Sequence, residues 1–394
     1  PAVLRSVAAI AQSGLDGAFV FAIIDEWFKR AWVVERVEQP ADQRRMWHNV
    51  MNPEQNYGLI ALAAGPAKGR VVIDGADTEW TSANATAAAG SQQKLGDGHD
   101  DSRRLRDLSV RNNAAYLFVR VRLQPPASGV IDWSKVDVVI AFDTIDPARG
   151  DTRLDPAGAV GFGRGVEHIL RIHHGSDAQL LVDKPFDLYG LWHGFRESYQ
   201  KYRTTANNAG EFLLVRTVTN AAYEVKDAKT GKWTALGVLQ DQETGRFHVG
   251  NELSDSHANV AIDAKTGVIE ARIPWNLLHF TDPSTLTIVD DDGSAGARHV
   301  TTTTTTGVAV AAVVLGGSGE EESALADSIP AASKTATGFG LPAQGWVVHT
   351  WKPWVEPVYH ERVKPAVAAL GAGLPTVLPA SIAFPTAKSG EVAP

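Results

Sequence analysis

Short apolar runs separated by glycine-bearing turns fill residues 70–273, and this pattern restricts most of the chain to a layered antiparallel β structure. Turns 227–231, 241–245 and 263–267 share the sequence Asp-x-x-Thr-Gly. Asp can cap such a turn with its side chain while Gly adopts the positive φ of a bulged hairpin loop. We therefore predict a β-sandwich with strands at residues 71–73, 107–110, 115–123, 135–142, 166–172, 178–182, 212–219, 221–225, 233–238, 246–248, 259–262 and 268–273.

Residues 116–123 show the alternation expected of a single antiparallel strand. Aliphatic side chains occupy the odd positions, and Tyr116, Phe118, Arg120 and Arg122 occupy the even ones. A strand of this kind buries one face and leaves the other more polar. It is predicted to lie half-buried in the sandwich.

The N-terminal residues follow a different pattern. Residues 1–12 have the apolar spacing of a helix, which Gly14 is expected to end, and residues 15–24 predict a buried strand. That apolar run stops at Asp25, Glu26 and Trp27, as barrel strands stop at the catalytic rim of (β/α)8 enzymes. Because a complete barrel needs roughly 250 residues, we expect residues 1–65 to be a short α/β remnant of a TIM-type barrel: its last strand and flanking helices.

Composition excludes several classes of function. The net charge of −8 and the sequence pI near 5.9 argue against nucleic acid as a partner. The chain has no cysteine, so disulfides and thiolate chemistry are excluded. No apolar run reaches the length of a membrane-spanning helix, so no transmembrane segment is expected. The chain starts at Pro1 without Met or a signal-like segment, which suggests a processed protein or a fragment.

The C-terminal third is predicted to be less regular. The sandwich is expected to span residues 66–315, and the small, acidic and Ser/Ala-rich composition of residues 316–345 predicts a mobile surface loop. Residues 346–394 are expected to form an extended aromatic strap followed by a low-complexity tail. Pro353 and Pro357 exclude a helix from the strap, and its Trp side chains predict that it lies buried on another surface.

Two groups of sequence blocks resemble known families. Residues 17–30, with Trp-His-Asn at 47–49 and Asn-Tyr-Gly-Leu at 56–59, resemble the end of a glycoside-hydrolase-like (β/α)8 barrel. The opening Val-Ile-Asp-Gly-Ala-Asp-Thr-Glu-Trp at 72–80 is similar to that of family-9-like carbohydrate-binding β-sandwiches. Further blocks that match this second family lie at 113–119, 138–143, 272–278, 282–284 and 359–364. In barrels of this kind the catalytic acids sit on the fourth and seventh strands, so the resemblance implies a region that does not hydrolyse glycosides alone. It also implies an extracellular or periplasmic location.

Asp25 and Glu26 are the candidate catalytic acids. Adjacent residues on a strand point to opposite faces, so at most one of them can face a barrel rim. Glycosidases need two carboxylates roughly 5–10 Å apart across the substrate, which neighbours on one strand do not provide. The alternative is a structural acid paired with Lys29, Arg30 or Arg44.

Aromatic side chains are the candidates for sugar recognition, because a ring with a polar handle can stack on the apolar face of a sugar. The eleven Trp are many for this length. We single out Trp27, Trp80, Tyr189 and Trp192 as possible sugar platforms. The alternative is that each is a core or inter-domain residue.

Acids in two loops are candidates for a structural Ca²⁺ site, which the resemblance also implies: Asp74 and Asp77 in one loop, Asp143 and Asp146 in the other. The alternative is that they cap turns. His168 and His174 are too far apart on one strand to share a metal ion, so the histidines at 168, 173 and 174 are expected to be surface residues. Ca²⁺ is the one candidate cofactor that these residues suggest.

Three functions follow as hypotheses. The first is a non-catalytic carbohydrate-binding or accessory region of a glycoside-hydrolase-like protein. The second is an assembly subunit whose N-terminal segment and C-terminal strap complete a partner's fold, the partner supplying the missing barrel portion, because unpaired strand edges favour association. The third is part of an active glycoside hydrolase, with the other barrel strands supplied elsewhere.

Overall fold

The computed structural model describes residues 2–15, 19, 21–27, 56–82, 84–93, 95, 101–127, 129–187, 208–220, 223–236, 240–291, 294, 300–316, 325–356, 358–364 and 367. One helix, α1 (Ala2–Gln12), precedes strands β1 (Ile60–Ala64), β2 (Thr86–Ala89), β3 (Leu105–Asn112), β4 (Tyr116–Leu123), β5 (Val136–Asp143), β6 (Asp151–Arg153), β7 (Val160–Val166), β8 (His168–His173) and β9 (Asp177–Asp183). They are followed by β10 (Phe212–Leu214), β11 (Thr217–Asn220), β12 (Tyr223–Lys226), β13 (Trp233–Leu236), β14 (Gln240–Gln242), β15 (Arg246–Phe247), β16 (Val260–Asp263), β17 (Val268–Pro274), β18 (Phe280–Asp282) and β19 (Thr287–Val289). The last are β20 (Thr302–Thr304), β21 (Val308–Gly316), β22 (Leu325–Ile329), β23 (Ser333–Lys334), β24 (Phe339–Leu341), β25 (Val347–His349) and β26 (Tyr359–Val363). Among the described residues, short 3₁₀ turns lie at Asp101–Arg103, Trp133–Lys135, Lys184–Phe186, Trp275–Leu278 and Pro283–Thr285.

Two antiparallel sheets form the sandwich. The five-stranded sheet has the order β16-β17-β4-β3-β2. The eight-stranded sheet has the order β10-β9-β8-β5-β21-β22, with β15 added to β9 and β25 to β21. The predicted mainly β, antiparallel sandwich is confirmed.

The main core lies between these sheets. The inward face of β4 carries Leu117, Val119, Val121 and Leu123, as its alternation predicts, and all four are fully buried. They belong to one apolar cluster with the inward side chains of β5, namely Val136, Val138, Ile140 and Phe142. Because each buried aliphatic side chain stabilises the fold by about 1.5–3 kcal/mol, this interface holds the two sheets together.

A third layer covers part of the outer face of the eight-stranded sheet. It is the sheet β23-β24-β7-β6, in which β24 and β7 run parallel. Phe162 of β7 and Trp346 form an edge-to-face pair at 6.0 Å, within a second apolar cluster that includes Val139 and Val313. The central strands β5 and β21 are therefore buried on both faces, which explains their nearly continuous apolar sequence.

The outer face of the five-stranded sheet is covered by the segment 70–80. Trp80 packs there with Phe118 and Ile73, and its Nε1 donates a hydrogen bond to Glu270 Oε1 at 2.6 Å. The same carboxylate accepts the main-chain N–H of Gly75 at 2.9 Å. Glu270 thus ties the covering segment to β17.

Two of the three Asp-x-x-Thr-Gly turns form as predicted. Asp263 accepts the main-chain N–H groups of Lys265 and Thr266, and Gly267 has a φ of 72° at the β16–β17 hairpin. The turn at 227–231 between β12 and β13 repeats this geometry. In the third, Asp241 instead lies within β14 and pairs with Arg216 at 2.9 Å. The shared sequence therefore reflects turn chemistry in two places and coincidence in the third.

The prediction of a mobile loop at 316–345 is wrong for its described residues. β22 is fully buried and pairs with β21, and β23 and β24 belong to the third layer. One acid of this segment, Asp327, is buried, and its carboxylate accepts the main-chain N–H groups of Leu105 and Gln93, at 2.8 and 3.2 Å. Such long-range hydrogen bonds leave no local signal in the sequence.

The strap is extended, as predicted, but its predicted burial holds only near its start: Trp346 and Val347 are buried, whereas Val355, Val358 and Tyr359 are exposed. The predicted low-complexity tail beyond residue 367 lies outside the described residues. β25 pairs with β21, and β26 pairs with β1. Between these two strands, the Trp351 ring centre lies 4.9 Å from that of the buried Trp275, and Trp351 Nε1 donates a hydrogen bond to Pro283 O at 2.8 Å. The strap therefore connects the sandwich core to the N-terminal residues.

The prediction of a buried strand at 15–24 is wrong for its described residues. Leu15, Phe19, Phe21 and Ile23 are exposed, and only Ile24 forms a bridge, parallel to Ile60. The described residues show no barrel-like α/β unit, although the predicted N-terminal helix is present as α1. The apolar sequence predicted burial, but these side chains stay exposed even though the Phe21 ring meets that of Tyr57 edge-on, with the ring centres 6.3 Å apart. Within the described residues no helix has the length and apolar character that crossing a bilayer requires.

Candidate functional site: a cleft between the ribbon and the outer sheet face

Strands β1 and β26 form a two-stranded ribbon that residues 22–25 join along β1, and we define the ribbon as residues 22–25, β1 and β26. Ile60 N–H donates to Ile23 O at 2.9 Å, and Asp25 N–H donates to Ile60 O at 3.0 Å. On the other side, β1 pairs with β26 in register from Ile60↔Val363 to Ala64↔Tyr359. The ribbon therefore brings residues more than 300 positions apart in sequence to one place.

Asp25 anchors this ribbon. Its buried carboxylate accepts a hydrogen bond from Lys364 Nζ at 2.6 Å and one from the Gly58 main-chain N–H at 3.1 Å. Position 58 requires glycine, because a Cβ there would collide with the main chain of Ile24 and Asp25. The structural alternative for Asp25 thus has a described partner, Lys364. The partners considered from sequence, Lys29, Arg30 and Arg44, lie outside the described residues.

The opposite wall is the outer face of the five-stranded sheet, where a charged network lies. Glu252 pairs with Arg70 at 3.1 Å and with Arg272 at 3.3 Å, and it also accepts the Ile73 main-chain N–H at 3.1 Å. The Arg272 guanidinium lies 5.1 Å from the ring centre of Tyr116, a cation–π arrangement. These contacts hold the arginine head groups in fixed positions.

Between the two walls is a cleft of about 170 Å³, open to solvent. This volume corresponds to about five or six waters at roughly 30 Å³ each. Its lining combines the half-buried Trp27 with Tyr116 and several hydrogen-bonding side chains, namely Asn56, Arg70, Asn113, Glu252, His257, Arg272 and Arg362. Arg362 makes no ion pair within the described residues, whereas both acids that line the cleft do.

The four predicted sugar platforms lie in different environments. Trp27 lines the cleft, with its ring centre 6.3 Å from that of Tyr359. Trp80 is buried, with the Arg120 guanidinium 5.4 Å from its ring centre, so it serves the outer-face core rather than an open surface. Tyr189 and Trp192 lie outside the described residues. Glu26 is half-buried next to Trp27.

The four predicted calcium ligands are each engaged in other contacts. Asp77 pairs with Arg122 at 3.0 Å, and Asp143 pairs with Arg164 at 2.7 Å. Asp74 and Asp146 accept main-chain N–H groups two residues ahead, at 2.8 and 2.7 Å, as turn caps do. In the described part of the chain these acids form no group of three whose oxygens lie within 4.8 Å of one another.

The sequence gives no hint of a row of buried acids at one end of the eight-stranded sheet. Asp143, Glu167 and Asp183 follow one another across β5, β8 and β9, because Phe142 is in register with His168 and His168 with Val182. Burial raises the pKa of Asp143 to about 6, and burial together with the charge of Asp151 raises the pKa of Asp183 to about 8. Burial and the charge of Asp143 also raise the pKa of Glu167 well above its usual value.

The expectation that His168 is a surface residue is wrong. It is buried against His279, with the ring centres 4.7 Å apart, and burial lowers its pKa well below the ordinary value. β8 lies within the eight-stranded sheet, and burial there favours the neutral form of the His168 imidazole. His173 and His174 are half-buried.

The cleft residues that sequence reasoning missed are Arg70, Glu252, Arg272 and Arg362. Only their charge marks them in the sequence, and they lie in four separate segments. Comparison of the chain with protein-family models gives no match, and comparison with curated proteins gives none either. The family resemblance therefore stays a prediction, and the geometry of the cleft is the basis for a function.

Proposed function

We propose that this chain is a non-catalytic carbohydrate-binding accessory region of a glycoside-hydrolase-like protein, and that the cleft is where the sugar binds. The observation that carries the proposal is the combination of Trp27 with fixed guanidinium and amide groups around one open cavity. An extracellular or periplasmic location belongs to the same proposal.

The chemistry of the lining supports a sugar better than an apolar ligand. Sugars present hydroxyls around an apolar ring face, so they are recognised by an aromatic ring together with a few oriented polar groups. Here Arg70 and Arg272 are held by Glu252, and Asn113 accepts the main-chain N–H of Tyr116 at 2.9 Å. Groups that are already oriented lose little entropy when a ligand binds.

The same contacts argue against catalysis at this site. Asp25 is held by Lys364, and Glu252 is held by two arginines. A glycosidase acid must carry a proton to the leaving group, and its partner carboxylate must reach the sugar carbon or a water. Carboxylates committed to cationic side chains are poorly placed for either task.

A glycan array tests this proposal, followed by titration of soluble oligosaccharides up to millimolar concentration. We expect binding that Trp27→Ala abolishes. Trp233→Ala is the control, because Trp233 is an exposed indole on the separate β12–β13 hairpin and does not line the cleft. Absence of binding to every glycan at millimolar concentration would refute the proposal.

A second candidate function, assembly with a partner, rests on a different observation. The exposed Leu15, Phe19, Phe21 and Ile23 place several large apolar side chains in solvent on one short segment. Four exposed large apolar side chains within nine residues favour an interaction site over isolated surface hydrophobics. We propose that a partner surface, of the kind a missing barrel portion would supply, covers this segment.

Light scattering coupled to size exclusion tests the assembly proposal on the native material. A complex that the double substitution Phe19→Ser/Phe21→Ser dissociates, with the sandwich still folded by circular dichroism, is expected. A monomer of 42.2 kDa that shows no association at high concentration would contradict it.

A further inference from the structure

The start of β5 and the end of β8 bring together a cluster that neither the cleft nor the acidic row uses. Asp137 and His173 are directly in register on these strands, and His174 begins the turn to β9 with a φ of 51°. Asp137 is fully buried, while both histidines are half-buried. One ligand atom from each of the three side chains lies within 4.8 Å of the other two.

We propose that Asp137, His173 and His174 form a binding site for a divalent transition-metal ion of the zinc type. Two imidazoles and one carboxylate are the donor set that Zn²⁺, Ni²⁺, Cu²⁺ and Co²⁺ accept, whereas Ca²⁺ and Mg²⁺ prefer oxygen ligands alone. In a tetrahedral site with bonds of about 2.0–2.2 Å, the ligand atoms lie about 3.4 Å apart. The present ligand atoms lie within 4.8 Å of one another, so the side chains rotate to reach that spacing when an ion binds.

The site is held in place by its own hydrogen bonds. The Asp137 carboxylate lies 2.8 Å from His173 Nδ1 and accepts the His174 main-chain N–H at 3.2 Å. The two imidazole rings stack with centres 3.7 Å apart. The backbone therefore fixes the carboxylate and both rings on one side of the hairpin before any ion arrives.

Two further features bear on how an ion would bind. A cavity of about 180 Å³, lined by Arg171, His173, Asp177 and Gln179, adjoins the cluster and has room for a water as the fourth ligand. Arg171 Nη2 lies 3.1 Å from Asp137 Oδ2, so the guanidinium occupies part of the carboxylate that an ion would use. Its side chain is 45% exposed and can turn toward solvent when the ion enters.

Calorimetric titration of ZnCl₂ and NiCl₂ into metal-free protein tests the site. We expect one equivalent to bind and His174→Asn to weaken it at least tenfold. Asn is chosen because it tolerates the left-handed backbone at position 174 better than other residues without a metal-binding ring. Arg171→Gln should bind the ion several-fold more tightly, because it removes the competing positive charge.

The matched control is His248→Ala. His248 forms a His–Asp pair with Asp255 at 2.7 Å that resembles half of the proposed site, but among the described residues no third ligand atom lies within 4.8 Å of both. This variant should bind like the wild type. No binding at 100 μM ion, equal affinity in His174→Asn, or an equal loss in His248→Ala would each overturn the proposal. Thermal melts of all variants confirm that each one is folded.

Discussion

Asp183 makes the stability of this fold depend on pH above neutrality. Its carboxyl is fully buried at the end of β9, and burial together with the nearby Asp151 raises its pKa from 3.8 to about 8. The folded protein therefore keeps this proton at pH 7, whereas the unfolded chain has released it. Because the folded state binds more protons than the unfolded state, stability falls as pH rises toward and through 8.

The size of this effect follows from the two pKa values. Between pH 7 and pH 8.5, a carboxyl whose pKa is 3.8 in the unfolded chain and about 8 in the folded protein lowers the free energy of unfolding by about 1 kcal/mol. Urea denaturation at the two pH values measures the change. Asp183→Asn keeps the shape of the side chain and cannot ionise, so it should remove about 1 kcal/mol of the wild-type loss.

Asp177→Asn, at a half-exposed position on the same strand, controls for removing one negative charge from this sheet. The three buried histidines oppose this loss by about 0.5 kcal/mol in total, because the unfolded chain still holds part of a proton on each at pH 7 and the folded state holds none. Asp183→Asn leaves that contribution unchanged, so comparing it with the wild type isolates the Asp183 effect. A wild type equally stable at pH 7 and 8.5, or an Asp183→Asn protein with the full wild-type loss, would refute the reasoning.

Three further predictions concern contacts that hold the strap, the ribbon and the outer face. Trp351→Ala should destabilise the protein by about 2–4 kcal/mol, because it removes the packing on Trp275 and the hydrogen bond to Pro283; a melting temperature within a degree of wild type would contradict this. A double-mutant cycle of Asp25→Asn and Lys364→Met should give a coupling free energy of about 1 kcal/mol, with faster amide exchange confined to β1 and β26. Purely additive effects of the two substitutions would show that the ion pair does not anchor the ribbon. Glu270→Ala leaves the Trp80 indole and the Gly75 and Asp74 main-chain N–H groups without their acceptor, so it should lower the free energy of unfolding by about 2–3 kcal/mol in urea denaturation. Glu270→Gln should lower it by less, and equal losses in the two variants would contradict this.

The sandwich could be predicted because its strands carry local signals. The alternation along β4 and the Asp-to-Gly turns around 227–231 and 263–267 depend only on neighbouring residues. Residues 71–73 were predicted as a strand but form a covering segment, because their partner is the side chain of Glu252 rather than another strand. Local apolar character alone could not distinguish the two.

The cleft could be predicted only in part. Trp27 and Asp25 stood out, because acids and an aromatic ring directly follow an apolar run. The pairing of Asp25 with Lys364 and the approach of Arg362 to the outer sheet face depend on β26 joining β1, which is a contact across the whole chain. A single sequence carries no signal for such a pairing.

The His–Asp cluster shows the same limit in another form. Adjacent residues on one strand point to opposite faces, so the sequence alone gives no reason to expect that His173 and His174 share a ligand. The left-handed backbone at His174 turns the second ring back toward the first. Asp137 joins them only through the register of β5 and β8.

The most direct test of the proposed function is a calorimetric titration of the best glycan from the array into wild type, Trp27→Ala and Trp233→Ala. The account predicts one sugar per chain for wild type, unchanged affinity for Trp233→Ala, and at least a tenfold loss for Trp27→Ala with the fold intact. Wild-type affinity in Trp27→Ala, or loss of binding in Trp233→Ala alone, would place the sugar elsewhere and contradict the assignment of the cleft.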